Sequence, residues 1–261
     1  MAGMIEFDAA AAQGVERLYK TPDVVGQRAR FLEALDLRRG ERVLDVGIGP
    51  GLLAFDMAMM VGEGGRVAGI DASEPMLALS QARCAELPWT DFRVADATKL
   101  PFEDGSLDAV VSTQVYEYVP DMTAALAEVQ RVLRPGGRVL ILDTDWDSVV
   151  WNTADRARMR RVMDAWDAHL HDPHLPATLG RRLERAGFDV HRREVIPIVN
   201  SDLHVHCYSF GILFAIQAFV AGSGAVDGDE VNAWAAEQRA LGEAGEYFFS
   251  INRYVFGAIK R

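Results

Sequence analysis

The stretch RVLDVGIGPG, residues 42–51, constrains the fold of this chain more than any other segment. Arg42-Val43-Leu44-Asp45-Val46 is a short apolar strand, and Gly47, Gly49 and Gly51 follow at every second position. Glycine turns a chain tightly at little steric cost and lets a ligand approach the backbone. Leu52 to Val61 then repeats apolar residues at helical spacing. The turn therefore delivers a strand into a helix, whose first amides carry positive partial charge and suit a carboxylate or another anion.

Spacing decides which ligand this turn can serve. A dinucleotide fingerprint runs G-x-G-x-x-G. Gly47 and Gly49 match it, but Leu52 stands where the third glycine or alanine belongs, and the glycine comes one position early, at Gly51. The pattern is D-x-G-x-G-x-G, starting at Asp45. No G-x-x-x-x-G-K-[ST] is present, which removes a phosphate loop. A nicotinamide oxidoreductase is the weaker reading on the same fold because of Leu52.

Around this turn strands and helices alternate. Strands are expected at Arg66–Ile70, Phe92–Val94, Leu107–Ser112 and Arg138–Asp143, and helices at Pro75–Leu87, with Ser73 as its cap, and at Met122–Leu133, stopped by Arg134-Pro135-Gly136-Gly137. Five short apolar strands separated by helices imply a parallel sheet, buried on both faces, with right-handed crossovers. The first forty residues read as helical, broken at Pro22, and form an expected lid over 1–40 ahead of a core over 41–145. After Asp143 the rhythm changes. Long helical patterns run from Ser148 to Leu170 and from Leu175 to Ala186, and strands are expected at Phe188–Val199 and Phe248–Lys260. Residues 203–245 hold an apolar helix, a Gly/Ser break at 222–224 and a second helix around Val231–Leu241. They read as a helical cap insertion over the carboxyl ends of the strands, the edge where open α/β sheets bind ligands. The whole chain, 1–261, is expected to form one enlarged domain.

Bulk properties narrow the partners. Of 261 residues 49% are hydrophobic and 25% charged, the mix of a folded globular chain. Thirty-eight acidic against 27 basic side chains leave a net charge of −11, which repels phosphate backbones and disfavours a nucleic-acid substrate. Cys84 and Cys207 stand far apart in no paired motif, which fits a reducing cytoplasm. MAGMIEFDAAAAQ lacks the basic start and apolar run of a secretory signal, and Phe210–Val220 is too short to span a bilayer. HLHDPH (169–174) and HVHC (204–207) have no metal-site frame; no metal is expected, and a solvated loop accounts for the first.

Two acids close successive strands. Asp71 ends the strand Arg66–Ile70, where a carboxylate can accept hydrogen bonds from both hydroxyls of a ribose. Asp96 follows Phe92–Val94, where it can accept from an exocyclic amino group. Each alone could cap a turn. Together with the glycine turn, at three successive strand ends, they outline a nucleoside site.

VLDVGIGPG, GIDASEPMLALSQAR, VADATKLPFEDGSLDAVVS and RVLRPGGRVLILD, in that order across about residues 15–145, resemble the successive motifs of class I S-adenosylmethionine-dependent methyltransferases. The branch they are most similar to includes quinone-biosynthesis and other small-molecule C-methyltransferases. AGF at 186–188 and YFFSINRYVFGAIK resemble the family's closing hairpin. The resemblance implies a Rossmann-like, doubly wound seven-stranded α/β sheet, mostly parallel, with its last strand inserted antiparallel. It implies S-adenosyl-L-methionine as cofactor, with Gly47, Gly49 and Gly51 lining its methionine portion and Asp45 among the residues that bind it. Asp71 would hold the ribose, Ala72 and Met76 would pack near the adenine, Asp96 and Ala97 would meet the adenine edge, and Gln114 would lie beside the sulfonium. Tyr19 and Arg28 resemble lid positions over the cofactor.

The acceptor half is less constrained, because a methyl sulfonium is already activated and positioning supplies much of the rate. Groups able to orient an acceptor or take its proton follow the fourth strand (Tyr116, Glu117, Tyr118), the fifth (Asp143, Asp145, Trp146) and open the cap (His204, His206, Tyr208). Tyr116, Asp145 and His204 are the selected catalytic candidates. The aromatic content of the cap points to a hydrophobic or aromatic small-molecule methyl acceptor. A protein that binds the cofactor without methylating, for rearrangement or regulation, is the alternative. The sequence leaves open whether the acceptor atom is carbon, oxygen or nitrogen, and whether two copies pair as a homodimer.

Overall fold

Strand β1 (Arg42–Val46) is buried at four of its five positions, as a strand flanked and covered on both faces must be. In the computed structural model, which describes residues 8–261, it lies at the centre of an eight-stranded sheet. Residues 1–7, the start of the expected lid and of the segment lacking secretory character, lie outside the described residues.

β1 pairs in parallel with β2 (Arg66–Asp71) on one side and β4 (Leu107–Thr113) on the other. β3 (Thr90–Val94) extends the sheet beyond β2, and β5 (Leu133–Thr144) beyond β4, both parallel. β8 (Phe249–Lys260) then runs antiparallel between β5 and β7 (Phe188–Asn200). The chain therefore winds outward in both directions from β1 and β4, which leaves a crevice above their carboxyl ends.

Alternation along each strand divides the interior. Leu44, Val46, Ile70, Val110 and Ile141 face one side, where they pack with residues of α5 (Met122–Val132) and α7 (Pro176–Arg185). Val43, Val67, Val111 and Leu140 face the other, against α2 (Pro22–Leu35) and α3 (Leu52–Val61). A third cluster joins α6 (Arg156–Asp167), α8 (Tyr208–Ser223) and α9 (Gly228–Ala244) through Trp166, Ile212, Leu213, Val231 and Trp234. α1 (Ala9–Tyr19) begins at Asp8, which accepts the Ala11 N–H at 2.8 Å. α4 (Glu74–Arg83) begins at Ser73, whose hydroxyl accepts the Met76 N–H at 3.4 Å as the sequence predicts. No described helix is long and apolar enough to cross a membrane.

Two expectations are corrected. The sheet has eight strands rather than seven, and the helix expected from Ser148 to Leu170 starts only at Arg156. Trp146–Ser148 form a single 3-10 turn, and Val150–Trp151 form β6, which pairs with the first residues of β8. Local chemistry explains the break. Asp145 and Asp155 both act as caps, accepting the N–H groups of Asp147 and Arg158, and the β-branched Val149-Val150 between them favours extension.

Candidate functional site

A cavity of about 860 Å³ opens above the carboxyl ends of β1, β2 and β4. Its lower half is the rim of strand ends; its upper half is walled by α1, the turn after β4, residues 166–169 and α8. Tyr19, Arg28, Gly47, Gly49, Asp71, Ala72, Met76, Asp96, Ala97 and Gln114 all line it. Asp45 and Gly51, expected among them, stand just behind.

The three glycines have separate tasks. All have positive φ, at 74°, 54° and 75°. A Cβ at Gly47 would meet Val115 Cγ2 at 2.2 Å, and one at Gly51 would meet Ser80 Cα at 2.7 Å, so Gly51 lets α3 and α4 approach each other. A Cβ at Gly49 would meet nothing within 4 Å, because Gly49 faces the open cavity. The amides of Gly47 and Ile48 bond Ile70 O, and that of Gly49 bonds Asp71 Oδ2 at 2.9 Å. The turn uses these three amides to hold itself to β2. The donors left for an anion are those at the start of α3, which has no side-chain cap and whose Leu52 and Leu53 line the cavity.

Asp71 spans this turn and the next: its Oδ1 accepts the Ser73 N–H at 2.9 Å. Burial pushes its carboxyl up, opposed by those backbone N–H bonds. Asp96 is exposed, and its Oδ1 accepts from both the N–H and the hydroxyl of Thr98, at 2.7 and 2.6 Å. Those bonds lower its pKa and leave Oδ2 for a ligand amino group. Asp45 is 2% exposed, its Oδ1 has no partner, and burial followed by the charge of Asp71 pushes it well up.

Gln114 stands at φ 58° at the end of β4, a conformation that strains a residue carrying a Cβ. It is held by its N–H to Leu142 O at 2.8 Å and by its Oε1, which accepts the Thr144 hydroxyl at 2.6 Å. Thr144 in turn accepts from Arg253 Nη1, and Arg253 Nη2 donates to the Tyr208 hydroxyl at 2.6 Å. One network thus runs from the rim to α8. Arg28, on α2, donates to Asp56 Oδ2 at 2.7 Å and to Tyr19 O at 3.3 Å.

The upper half holds buried ionisable groups among aromatic rings. Glu117 is 2% exposed, and burial raises it to about 7 against the opposing charge of Arg253. Asp143, behind it, accepts the Val115 N–H at 3.1 Å and is pushed well up by burial and by Glu117. His169 is 1% exposed and stacks on Trp166 at 3.7 Å, with Tyr118 and Trp146 edge-on at 5.9 and 5.6 Å. This corrects the solvated-loop account of HLHDPH. Its Nδ1 meets Trp166 O, which can only accept, so Nδ1 bears the proton and Nε2 is a lone-pair acceptor. Burial lowers its pKa to about 4, so the ring is neutral at pH 7.

The side chains selected from sequence to act on the acceptor are not among these walls. Tyr116 is fully buried in the core beneath the rim. Asp145 turns outward to His174 Nδ1 at 3.0 Å; with Asp147 their ligand atoms lie within 4.8 Å of one another, and His174 is raised chiefly by Asp145. His204 is exposed and accepts the His206 N–H at 3.2 Å. Glu117, His169 and Arg253 occupy the cavity instead. Arg253 was legible: on β8 it alternates in step with Phe249, Ile251 and Val255, so period two alone puts an arginine on a buried face.

Residues 44–141 match the family model described as a methyltransferase domain. An uncharacterized 37.1 kDa protein from a Streptomyces fradiae transposon is 37% identical over 191 residues, 71% of this chain and 54% of that protein. Demethylmenaquinone methyltransferase of Staphylococcus aureus is 39% identical over 117 residues, 45% of this chain and 48% of that enzyme. The chain thus spans about half the length of the curated relatives it matches. Among solved structures, Haemonchus contortus phosphoethanolamine N-methyltransferase 2, in complex with phosphomonomethylethanolamine and S-adenosylhomocysteine, shares the fold at a TM-score of 0.63. That match has 20% identity and covers 97% of this chain and 58% of that one. The 4+2 cyclase SpnF shares it at 0.59, with 24% identity, 91% and 80% coverage. The matched segment is the one whose strand ends build the lower half of the cavity, so residues 44–141 of this chain carry a methyltransferase domain.

Proposed function

We propose that this protein transfers a methyl group from S-adenosylmethionine to a small, flat, apolar acceptor held under α1 and α8. The observation that carries the reading is that one cavity joins the nucleoside rim to a buried aromatic chamber. The rim fits the cofactor on its own geometry: Gly49 opens onto the cavity, the start of α3 offers uncapped amides, and Asp96 engages only its Oδ1, with Thr98. Asp71 would take the ribose, Asp96 and Ala97 the adenine edge, Ala72 and Met76 its face, and the first amides of α3 the carboxylate.

The cofactor supplies an activated methyl group; this chain's residues supply position and a proton acceptor. Tyr118, Trp146, Trp166 and Tyr208 enclose the acceptor and exclude water, and holding two reactants in line is worth roughly 7–11 kcal/mol of barrier. Glu117, at about 7, is poised to accept a proton from the acceptor at neutral pH. His169 Nε2 offers a hydrogen-bond acceptor that orients an acceptor N–H or O–H. Residues 8–40 act as a lid and 203–245 as a cap in this account, and two buried free cysteines fit a reducing cytoplasm.

Radiolabelled methyl transfer from S-adenosylmethionine into a bacterial small-molecule extract tests the reading. Label should pass to an organic-extractable aromatic product. A protein that binds the cofactor yet labels nothing has a binding or rearrangement role instead.

A further inference from the structure

Within that methyl-transfer reading, we infer that the acceptor carries an acidic oxygen on a flat aromatic body, and that Arg253 selects it. Arg253 lies on β8 opposite Thr144 of β5, is 2% exposed and lines the cavity. Its fork is half used. Nη1 donates to the Thr144 hydroxyl and Nη2 to the Tyr208 hydroxyl, the guanidinium carbon lies 5.0 Å above the Tyr208 ring, and Nε–H has no partner. Among the described residues it makes no ion pair.

A guanidinium taken out of water without an anion is costly, and the cost is recovered only by a partner of opposite charge with good geometry. The chain does not provide one. Glu117 and Asp143 feel the charge of Arg253, yet neither carboxyl forms an ion pair or a hydrogen bond with its guanidinium, and burial raises both, Asp143 further through Glu117. The two hydroxyls that hold Arg253 fix its plane without neutralising it. A planar, delocalised cation held in this way matches a carboxylate or a phenolic oxygen on a ring better than a point charge would. The stacked His169–Trp166 pair and the edges of Tyr118 and Trp146 add walls suited to an aromatic body.

Calorimetric titration of S-adenosylhomocysteine-saturated protein with 2-naphthoate, 2-naphthol and 2-naphthamide tests this. The naphthoate or the naphthol should bind at least tenfold more tightly than the amide, and which of them leads tells a carboxylate from a phenolic oxygen. Arg253→Met should erase that preference while changing amide and S-adenosylhomocysteine affinity by less than threefold. Arg253→Lys, which keeps the cation and loses the fork, should retain part of it. Equal affinity of all three probes for the unsubstituted protein would overturn the inference. So would loss of S-adenosylhomocysteine binding in both variants, which would assign Arg253 to the cofactor or to folding. If the unsubstituted protein does not bind S-adenosylhomocysteine at all, the methyl-transfer reading itself falls.

Discussion

The carboxylate of Asp71 accepts the N–H of Gly49 at 2.9 Å, so the acid at the end of β2 holds the glycine turn at the end of β1. Its other oxygen holds Ser73, at the start of α4. One side chain therefore shapes the rim at two successive strand ends.

Asp71→Ala is expected to act twice. Affinity for S-adenosylhomocysteine should fall at least tenfold, and stability should fall by about 1–2 kcal/mol, since two half-buried N–H groups lose their acceptor. Asp71→Asn keeps one acceptor oxygen and should recover part of the stability but little of the affinity. Calorimetry paired with thermal denaturation reads both. Loss of stability with unchanged affinity would remove Asp71 from the ligand site.

Gly47 and Gly49 should separate folding from binding. Gly47→Ala forces a Cβ into Val115 at positive φ and should cost about 2–4 kcal/mol, visible as a lowered Tm. Gly49→Ala meets no atom and pays only the left-handed backbone penalty of about 1–2 kcal/mol. Its methyl group instead projects into cofactor space, so affinity should suffer more than stability. Equal effects of the two substitutions on Tm would contradict the division of tasks.

Much of this rim was legible because it is local. Each part is a strand end and the few residues after it (the glycines after β1, Asp71 closing β2, Asp96 just past β3), and the parallel order of those strands brings the three ends side by side. The upper chamber is not local. His169 comes from just past α6, Glu117 from the turn after β4, Tyr208 from α8 and Arg253 from β8, and they meet only through the β5–β8 pairing and the packing around Trp146 and Trp166. HLHDPH looks polar as a string, yet its first histidine is buried by a stack that its own sequence does not announce. Likewise Tyr116 and Glu117 are adjacent on one 3-10 turn; one side chain enters the core and the other lines the cavity.

His169 should give the protein an acid-sensitive stability. Its folded pKa, about 4, lies below its usual 6.5, so the unfolded chain binds the proton more tightly. Stability is then full above pH 6.5 and is lost as pH falls toward 4, by up to about 3 kcal/mol at 1.36 kcal/mol per unit. Urea denaturation between pH 4 and 8 should show this slope, and His169→Phe, which keeps the aromatic stack, should flatten it. An unchanged slope in the variant would place the titration elsewhere.

Glu117 should govern the rate. With its pKa at about 7, turnover should rise with pH through that value as the carboxylate form appears. Glu117→Gln should lower kcat by about 100-fold and abolish the rise while leaving S-adenosylhomocysteine affinity nearly unchanged. A variant with full turnover would show that the acceptor needs no proton removed by this residue.

The most direct test of the central claim, that three strand ends form one nucleoside site for S-adenosylmethionine, is an equilibrium titration of the purified protein with S-adenosylhomocysteine and, separately, with NAD. The account predicts saturable one-to-one binding of the first in the micromolar range and no binding of the second. Saturable binding of NAD, or no binding of S-adenosylhomocysteine, would contradict it.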